Sequence, residues 1–588
     1  MKIYLLHLFL LMSFGVNLQA QNFSDSIRGK VTCNGKGVQG VVVTDGIDCT
    51  LTDKQGNYAL YPNRDVRFVQ MSVPAGYLPQ TKKTIPLFYQ EVNPEKRNTY
   101  NFELIKNPRN DTDHIFLVQA DAQVTSEDDV RAYAEFLKDM KQHVQPYTGK
   151  KDVFGIDCGD IVGDTPSLYP SYIDAVSSLN FPIYRTIGNH DMTYGGRTFE
   201  YSYRTFESYF GPIYYSFNKG EAHYIVLDNC FYVNRDYQYI GYIDERTFKW
   251  LEKDLSYVPK DKLIFVVMHI PSSLQKKLRY NTLDQDETVN TAALYELLKG
   301  YDAHIISGHT HFNTNVCFND SLMEHNTAAV CGTWWRADVN VDGTPRGYGI
   351  YEVKGNRLKW VYKSAGYPLE YQFRAYPAGA SEEYPSDIIA NVWNWDEDWT
   401  VSVTENGQPL TATRVYRKDP THYTWQKDVL EPAHAPGSPN STYLTGYNAH
   451  MFSAIAQVPG STIKVVVTDP FGGVYEKTIV REIPSNLPAQ WVFTKGGVRG
   501  GQQNAVSDRK GLYQLYQQLR SGARRKQQDS PCQYGRRALY HGRMAGRLVA
   551  VHHSGNDHKG RNGHQRKVPR TRIRNRYEIL DAGVLRRR

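Results

Sequence analysis

Six side chains that can bind metal ions stand at or just after the ends of apolar segments in this sequence. They are Asp121, Asp160, Asn189, His269, His309 and His311. Carboxylates and imidazoles supply the mixed oxygen and nitrogen ligands that a pair of divalent cations about 3.5–4 Å apart requires, with one carboxylate shared between the two ions. These residues therefore predict a two-cation centre, and the ligand types suit Mn, Zn or Fe without choosing among them.

Buried strands that alternate with helices are expected to position these side chains. Fully apolar runs predict strands buried on both faces, at residues 115–118, 153–156, 183–187, 224–227, 263–268 and 305–306. The amphipathic stretch from Glu127 to His143 follows Ser126, and Asp129 three residues on has the form of a capping box. Ligand sites of α/β sheets lie outside the carboxyl ends of the strands. The segment 112–355 is therefore predicted to be a layered α/β domain.

The order of the polar motifs resembles the calcineurin-like metallophosphoesterase family. The motifs are D-x-Q at 121–123, G-D-x-x-x-D at 159–164, G-N-H-D at 188–191, His269 at a strand end, and G-H-x-H at 308–311. The resemblance implies hydrolysis of phosphate esters, in which a hydroxide held between two divalent cations attacks phosphorus. It covers residues 113–351, and the implied ligands are Asp121 and His311 for the first cation, Asp160 for both, and Asn189, His269 and His309 for the second.

The same resemblance implies further roles near the centre. His190 would act on the substrate as a catalytic residue without binding a cation, and Asp191 and Asp164 would orient neighbouring side chains. One position departs from the family pattern, because Gln123 stands where D-x-H motifs have a histidine. An amide oxygen is a poorer ligand than imidazole, so Gln123 is kept as a candidate ligand and the first cation site is expected to be weaker. The absence of Tyr at 161–164 argues against the iron–tyrosinate centre of purple acid phosphatases.

The expected substrate is a small phosphate ester. Trp334, Trp335 and Arg336 are candidate substrate contacts, since arginine binds phosphate and aromatic rings stack on organic groups. Packing between domains is the alternative role for the two tryptophans. A phosphodiester is favoured over a monoester, which the same centre would also hydrolyse. The remaining alternative is a non-catalytic protein that binds glycan or peptide and keeps a vestigial metal site.

Two further segments have the pattern of β domains. Short alternating runs separated by Gly-rich turns at 26–105 predict a β-sandwich, and they resemble carboxypeptidase-regulatory-like modules. A second β domain is predicted at 365–490, where the turn at 469–473 joins two strands in a hairpin. The predicted fold is thus a layered α/β domain flanked by two β-sandwich-like domains. This arrangement resembles an exported bacterial subgroup of the metallophosphoesterases.

The two ends of the chain differ from the rest. Lys2, an apolar run at 3–16 and the small residue Ala20 predict a signal peptide at 1–20. We therefore expect export to the periplasm or medium, with no membrane span after cleavage.

Residues 505–588 carry 21 Lys or Arg against 5 Asp or Glu, whereas the whole chain has a net charge of only +8. That tail is predicted to be disordered or read out of frame. Its tyrosines do not interleave with the charges, so we expect no nucleic-acid partner.

The seven cysteines have no C-x-x-C spacing, which argues against a thiolate zinc site and against a disulfide scaffold. After export, two pairs remain candidates for disulfide formation, Cys33 with Cys49 and Cys317 with Cys331.

Overall fold

The computed structural model describes residues 26–480, apart from 62–65, 94–97, 236–237, 275–285, 434–442 and 459, and two short strands farther on. The predicted signal peptide at 1–20 and the predicted tail at 505–588 lie outside these residues. Successive parts of the chain form a β domain, a layered α/β domain and a second β domain. The predicted fold class is therefore confirmed.

The N-terminal domain contains two packed sheets and a separate two-stranded hairpin. Its strands are β1 (Ile27–Cys33), β2 (Lys36–Gly37), β3 (Val42–Thr44), β4 (Cys49–Leu51), β5 (Asn57–Leu60), β6 (Phe68–Met71), β7 (Tyr77–Leu78), β8 (Gln80–Lys82), β9 (Ile85–Leu87), β10 (Tyr89–Glu91) and β11 (Phe102–Lys106). One sheet has the order β2-β1-β11-β7 with β5 paired to β1, and the other has the order β10-β6-β3-β4. Val31 of the first sheet and Val43 of the second are fully buried in one hydrophobic cluster.

The predicted pairing of Cys33 with Cys49 is wrong. Both cysteines are free thiols in the structure. Cys33 lies on β1 and Cys49 lies on β4, in different sheets of the sandwich.

The α/β domain contains two large sheets, a separate two-stranded sheet and most of the helices. Its strands are β12 (Asp113–Gln119), β13 (Asp152–Asp157), β14 (Ile183–Arg185), β15 (Tyr215–Lys219), β16 (Ala222–Val226), β17 (Cys230–Asn234), β18 (Gln238–Gly241), β19 (Leu263–Val267), β20 (Asp302–Ser307), β21 (Thr314–Asn319), β22 (Leu322–Asn326), β23 (Gly347–Lys354) and β24 (Arg357–Ser364). Its helices are α1 (Glu127–Val144), α2 (Tyr169–Val176), α3 (Phe199–Ser202), α4 (Arg204–Phe210), α5 (Glu245–Leu255) and α6 (Thr291–Leu298). The six predicted strands all overlap observed ones.

The layers of this domain follow from which faces are apolar. The sheet β14-β13-β12-β23-β24 packs against the sheet β15-β16-β19-β20-β22-β21. Aromatic side chains fill the space between them, as where the Phe116 and Phe265 rings lie 5.0 Å apart. Helices α1 and α2 cover the outer face of the first sheet, and α5 and α6 cover that of the second. Within the described ranges, no helix is both long enough and apolar enough to cross a bilayer.

Helix α1 shows how the local sequence sets a boundary. The Ser126 hydroxyl accepts a hydrogen bond from the Asp129 backbone N–H at 3.2 Å, so the predicted cap forms. Val130, Tyr133, Leu137, Met140 and Val144 are buried, at the three- to four-residue spacing of one helix face. The helix thereby covers the sheet whose strands β12 and β13 lead into the polar motifs.

The C-terminal domain is a second sandwich. Its strands are β25 (Arg374–Tyr376), β26 (Asp387–Asn391), β27 (Thr400–Glu405), β28 (Gln408–Leu410), β29 (Thr413–Lys418), β30 (Tyr447–Ile455), β31 (Thr462–Thr468) and β32 (Val474–Val480), followed by β33 (Val492–Thr494) and β34 (Gly497–Arg499), and its helix is α7 (Pro420–Trp425). The sheets β25-β26-β30-β29 and β28-β27-β31-β32 enclose a core that includes Ile388, Val403 and Val465. The hairpin predicted around residues 469–473 joins β31 to β32.

A buried carboxylate, Asp342, connects the C-terminal domain to the α/β domain. It accepts hydrogen bonds from the Asn313 backbone N–H at 2.9 Å and from the Thr344 hydroxyl at 2.7 Å, and its Oδ2 lies 3.1 Å from Nε2 of His450. Burial by itself would raise the pKa of Asp342, but the hydrogen bond and charge of His450 outweigh it and hold the pKa below its usual range. Asn313 directly follows the G-H-x-H-Phe segment, so this carboxylate anchors a motif loop.

Replacement of Asp342 with alanine is expected to lower the free energy of unfolding by about 3–5 kcal/mol, because it leaves buried partners unpaired. The carboxylate contributes stability above its unfolded-state pKa of about 3.9, and this contribution disappears as the pH falls through its lower folded-state pKa. The wild type and the variant should therefore converge in acid. Denaturant unfolding followed by tryptophan fluorescence at several pH values measures both effects. The exposed control Asp338→Ala should cost less than about 1 kcal/mol.

Candidate metal centre

The motif residues lie where the chain turns sharply after a strand. Asp121, Gln123, Asp160, His309 and His311 all have left-handed backbone angles, with φ of 55°, 37°, 52°, 72° and 56°. Residues other than glycine rarely adopt this conformation, and it is concentrated at functional sites, where the surrounding structure maintains it. The turns that follow β12, β13 and β20 thus bring polar side chains from three motifs to one edge of the two sheets.

Two motif glycines allow carboxylates to contact backbone directly. A Cβ atom on Gly188 would lie 2.1 Å from the Asp160 carboxylate, and one on Gly308 would lie 2.7 Å from the Asp121 carboxylate. In the space that remains, the His190 N–H donates to Asp160 Oδ1 at 2.8 Å, and the His309 N–H donates to Asp121 Oδ2 at 3.0 Å. Glycine is needed at both positions because no side chain fits between the turn and the carboxylate.

Four ligand atoms converge at the candidate second-cation site. Nδ1 of His269 lies 2.7 Å from the carbonyl oxygen of Cys158, which can only accept, so Nδ1 carries a proton and Nε2 is the nitrogen that would bind a cation. That Nε2 lies 3.1 Å from Asn189 Oδ1, 3.2 Å from His309 Nδ1 and 3.3 Å from Asp160 Oδ2. Asp160, His269 and His309 also form a group whose ligand atoms all lie within 4.8 Å of one another. Such a cluster of lone pairs fits a divalent cation.

The candidate first-cation site is formed by Asp121 and His311. Asp121 Oδ1 lies 3.6 Å from Nε2 of His311, whose Nδ1 is 3.4 Å from the carbonyl oxygen of Gly332. Burial is the main reason that the pKa of Asp121 rises to about 8, and the neighbouring Asp160 adds to it. Burial would also raise the pKa of Asp160, but the charges of His269 and His190 outweigh it and lower that pKa. Two neighbouring buried carboxylates repel each other when both are ionised, and a bound cation would relieve this repulsion.

Gln123 faces Asp160 with its amide nitrogen and not with its carbonyl oxygen. Its Nε2 donates a hydrogen bond to Asp160 Oδ2 at 2.9 Å, and its Oε1 lies 3.9 Å from the buried thiol of Cys331. An amide nitrogen cannot bind a cation, so Gln123 stays a candidate ligand only through its oxygen. The candidate disulfide between Cys317 and Cys331 is wrong, because both thiols are free. Cys317 is exposed on β21, whereas Cys331 is buried beside Gln123.

Replacement of Gln123 with histidine is therefore expected to tighten binding at the first site, by about 10-fold or more, because imidazole adds a ligand. Calorimetric titration of metal-free protein with Mn²⁺ or Zn²⁺ measures the two affinities separately. Gln123→Ala serves as the control and should leave both affinities nearly unchanged. Equal affinities in the wild type and in Gln123→His would show that Gln123 already binds the cation.

His190 lies at the edge of the centre and is partly accessible. Its Nδ1 lies 3.0 Å from Asp164 Oδ1, and its side chain is 36% exposed. Burial by itself would lower the pKa of His190, but the carboxylates of Asp160 and Asp164 raise it to about 9. Asp164 thus orients the His190 ring at the edge of the centre.

Asp191 lies behind the centre and contacts backbone. Its carboxylate accepts hydrogen bonds from the N–H groups of Ile161 at 3.1 Å, Val162 at 3.2 Å and Gly188 at 3.0 Å, and from the Tyr169 hydroxyl at 3.1 Å. These bonds tie the G-N-H-D turn to the loop after Asp160. Asp191 is therefore a positioning residue.

The three candidate substrate contacts occupy different environments. The indole N–H of Trp335 donates to the Ala122 carbonyl oxygen at 2.8 Å, which fixes that ring against the D-x-Q loop. The Trp334 ring instead stacks on His311, with centroids 4.2 Å apart. Arg336 is exposed, and its guanidinium lies 4.7 Å from the centroid of Tyr443. Trp334 therefore lies against a candidate ligand and Arg336 lies beside Tyr443, whereas Trp335 packs.

Positioning residues that motif reasoning missed also surround the centre. Asn229 Oδ1 accepts hydrogen bonds from the N–H groups of His269 at 3.2 Å and Ile270 at 3.1 Å. Asn326 donates to the carbonyl oxygen of Gly308 and accepts from the Thr310 hydroxyl. Asn229 closely follows a strand and Asn326 ends one, so a polar residue at the end of an apolar run was the available signal.

The fold and the site define a metal-dependent phosphoesterase domain flanked by two β domains. The family model for calcineurin-like phosphoesterase matches residues 114–313, and the models for its N-terminal and C-terminal parts match residues 25–107 and 324–475. The chain belongs to the calcineurin-like phosphoesterases and is a hydrolase of phosphoric esters, a family that uses a dinuclear divalent metal centre.

Solved structures with similar folds share little sequence with this chain. A dimetal phosphatase from Danio rerio is 12% identical, with 43% of this chain and 96% of that chain covered and a TM-score of 0.32. A 5'-nucleotidase from Candida albicans is 13% identical, with 44% and 53% covered and a TM-score of 0.27. A metallophosphoesterase from Sphaerobacter thermophilus is 14% identical, with 43% and 89% covered and a TM-score of 0.21. No curated protein matches the sequence.

Proposed function

We propose that this chain hydrolyses small phosphodiesters at the centre around Asp160, and that it does so after export. The convergence of Asp160, Asn189, His269 and His309 on one point carries the proposal, because four groups that can bind a divalent cation meet there. Asp121 and His311 extend the same cluster toward the first site. The predicted signal peptide is the reason to propose an exported enzyme.

The residues of the chain have distinct roles in this proposal. Divalent cations bound there, of which Mn, Zn and Fe are the candidates, would activate water and neutralise charge on the phosphoryl oxygens. Asp160 would hold both ions, while Asn189, His269 and His309 would hold one of them. The protonated His190, oriented by Asp164, would donate a hydrogen bond to the phosphoryl group or a proton to the leaving oxygen. Backbone bonds to Asp160 and Asp121 keep these carboxylates in place.

Charge supports a diester over a monoester as the substrate. A monoester carries up to two negative charges near neutral pH, whereas a diester carries one. Among the residues that the structure describes, no Lys or Arg forms an ion pair with Asp121 or Asp160, whose charged partners are histidines. The protein therefore sets no Lys or Arg directly against these two carboxylates, and Arg336 lies over the Tyr443 ring instead. Such a centre suits the substrate with the smaller charge.

Purified protein loaded separately with Mn²⁺, Zn²⁺ or Fe²⁺ tests this function. We expect hydrolysis of bis-p-nitrophenyl phosphate with kcat/KM at least about 10-fold above that of p-nitrophenyl phosphate, a difference of about 1.4 kcal/mol. A preference for p-nitrophenyl phosphate would instead assign a monoesterase. No turnover of either ester with any of the three cations would contradict the proposed function.

A further inference from the structure

The C-terminal β domain holds the loop that carries His311. Phe312 packs against Gly446, where an added Cβ would lie 2.4 Å from the Phe312 ring. The side-chain amide of Asn313 donates to the Trp393 carbonyl oxygen at 2.8 Å. The two residues that follow His311 are thus fixed by the C-terminal domain, and this side of the centre depends on it.

The same domain fixes the segment that carries Trp334. The Thr333 hydroxyl donates to the Val339 carbonyl oxygen at 2.7 Å and lies 2.9 Å from Nε2 of His422 in α7. Nδ1 of His422 in turn lies 2.8 Å from the hydroxyl of Thr445. These contacts maintain a strained backbone, since Trp334 has a φ of 47°, which is rare for a bulky residue. Strained backbone angles of this kind occur mostly at functional sites, which indicates that the position of the Trp334 side chain matters for function.

Trp334 and Tyr443 form a corner that we name the aromatic corner. Their ring centroids lie 5.1 Å apart at an interplanar angle of 68°, and both side chains are half-buried. One end of the corner contacts the candidate first-cation site, because the Trp334 ring stacks on His311. At the other end the guanidinium of Arg336 lies over the Tyr443 ring. Among the described residues, no carboxylate forms an ion pair with Arg336.

We propose that the aromatic corner binds a flat aromatic ring on the non-leaving organic group of the substrate. This inference rests on the proposed function and names the class of ester, an aryl-substituted phosphodiester. Two rings at a steep angle let a third ring stack on one and meet the edge of the other. Arg336 adds a free positive charge for an anionic substituent on that ring. Because the corner adjoins only one side of the centre, it recognises only one of the two organic groups.

Two esters with the same leaving group test this inference. Phenyl p-nitrophenyl phosphate carries a ring for the corner, whereas methyl p-nitrophenyl phosphate does not. We expect Tyr443→Leu, at the ring of the corner that does not stack on His311, to raise KM for the phenyl ester by about 10-fold, within the range measured when a stacking aromatic is removed. KM for the methyl ester and the kcat values should change less than about 2-fold, since Tyr443 holds no reacting atom. Tyr443→Phe, which keeps a stacking ring, should recover most of the affinity.

Controls separate this inference from the proposed function. Trp334→Leu should also raise KM more for the phenyl ester than for the methyl ester, while Tyr61→Leu, at a ring that is 77% exposed in the N-terminal domain, should change neither ester. Thermal unfolding and bound metal are compared across the variants, so that a folding defect is recognised. If the wild type cleaves both esters and Tyr443→Leu shifts their KM values equally, the aromatic corner is not a ring site, and the proposed function stands. If the wild type cleaves neither ester, the proposed function itself fails.

Discussion

Replacement of Asp160 with asparagine is expected to lower kcat/KM for bis-p-nitrophenyl phosphate by more than about 10³-fold, which corresponds to about 4 kcal/mol. Asp160 combines several functions that no other residue shares. One oxygen accepts the His190 N–H at 2.8 Å, and the other lies 3.3 Å from His269 Nε2 and 2.9 Å from the Gln123 amide nitrogen. A neutral amide of the same shape loses the charge that would bridge two cations.

The metal content of this variant provides the second measurement. Elemental analysis of Asp160→Asn should find at least one equivalent of cation fewer than in the wild type, whatever the metal. Asp128→Asn is a suitable control, because its carboxylate is 84% exposed on the surface of α1. If Asp160→Asn kept full activity, Asp160 would not belong to the catalytic centre. The same conclusion would follow if the variant bound both cations as tightly as the wild type.

Replacement of His190 with asparagine should have a different signature, a loss of activity without a loss of metal. We expect kcat to fall by about 10²–10⁴-fold, the usual contribution of a positioned acid or base. Its ring contacts Asp164 and none of the four atoms at the second site, so the affinity for cations should remain within about 2-fold of the wild type. Stopped assays with the diester, together with elemental analysis of the same preparation, measure both quantities.

The leaving group distinguishes between the two roles open to His190. If it protonates the leaving oxygen, the His190→Asn variant should lose more activity toward esters of poorly acidic alcohols than toward p-nitrophenyl esters. An equal loss would assign His190 to hydrogen bonding with the phosphoryl group. The companion variant Asp164→Asn should cost less than His190→Asn, because it disturbs only the orientation of the ring. Full activity in His190→Asn would exclude both roles.

The positions of the motif residues could be predicted because the signals are local. An apolar run followed by Gly-Asp or by Gly-Asn-His-Asp predicts a buried strand and the turn after it, and adjacent strands place their ends at the same edge of a sheet. The structure accordingly brings Asp121, Asp160 and His309 together. Helix α1 is similar, because its cap depends on Ser126 and Asp129 alone.

The sequence by itself thus determined the fold class, the ligand types and the order of the motifs along the chain. Only the tertiary structure decided that Gln123 turns its amide nitrogen to Asp160, that Trp335 packs while Trp334 faces the centre, and that Tyr443 stands beside it. The physical reason is that a side chain's orientation depends on what packs around it. Those neighbours, such as Cys331 beside Gln123 and Tyr443 beside Trp334, come from distant segments and from another domain. Hydrophobic periodicity and turn motifs carry no information about such pairs.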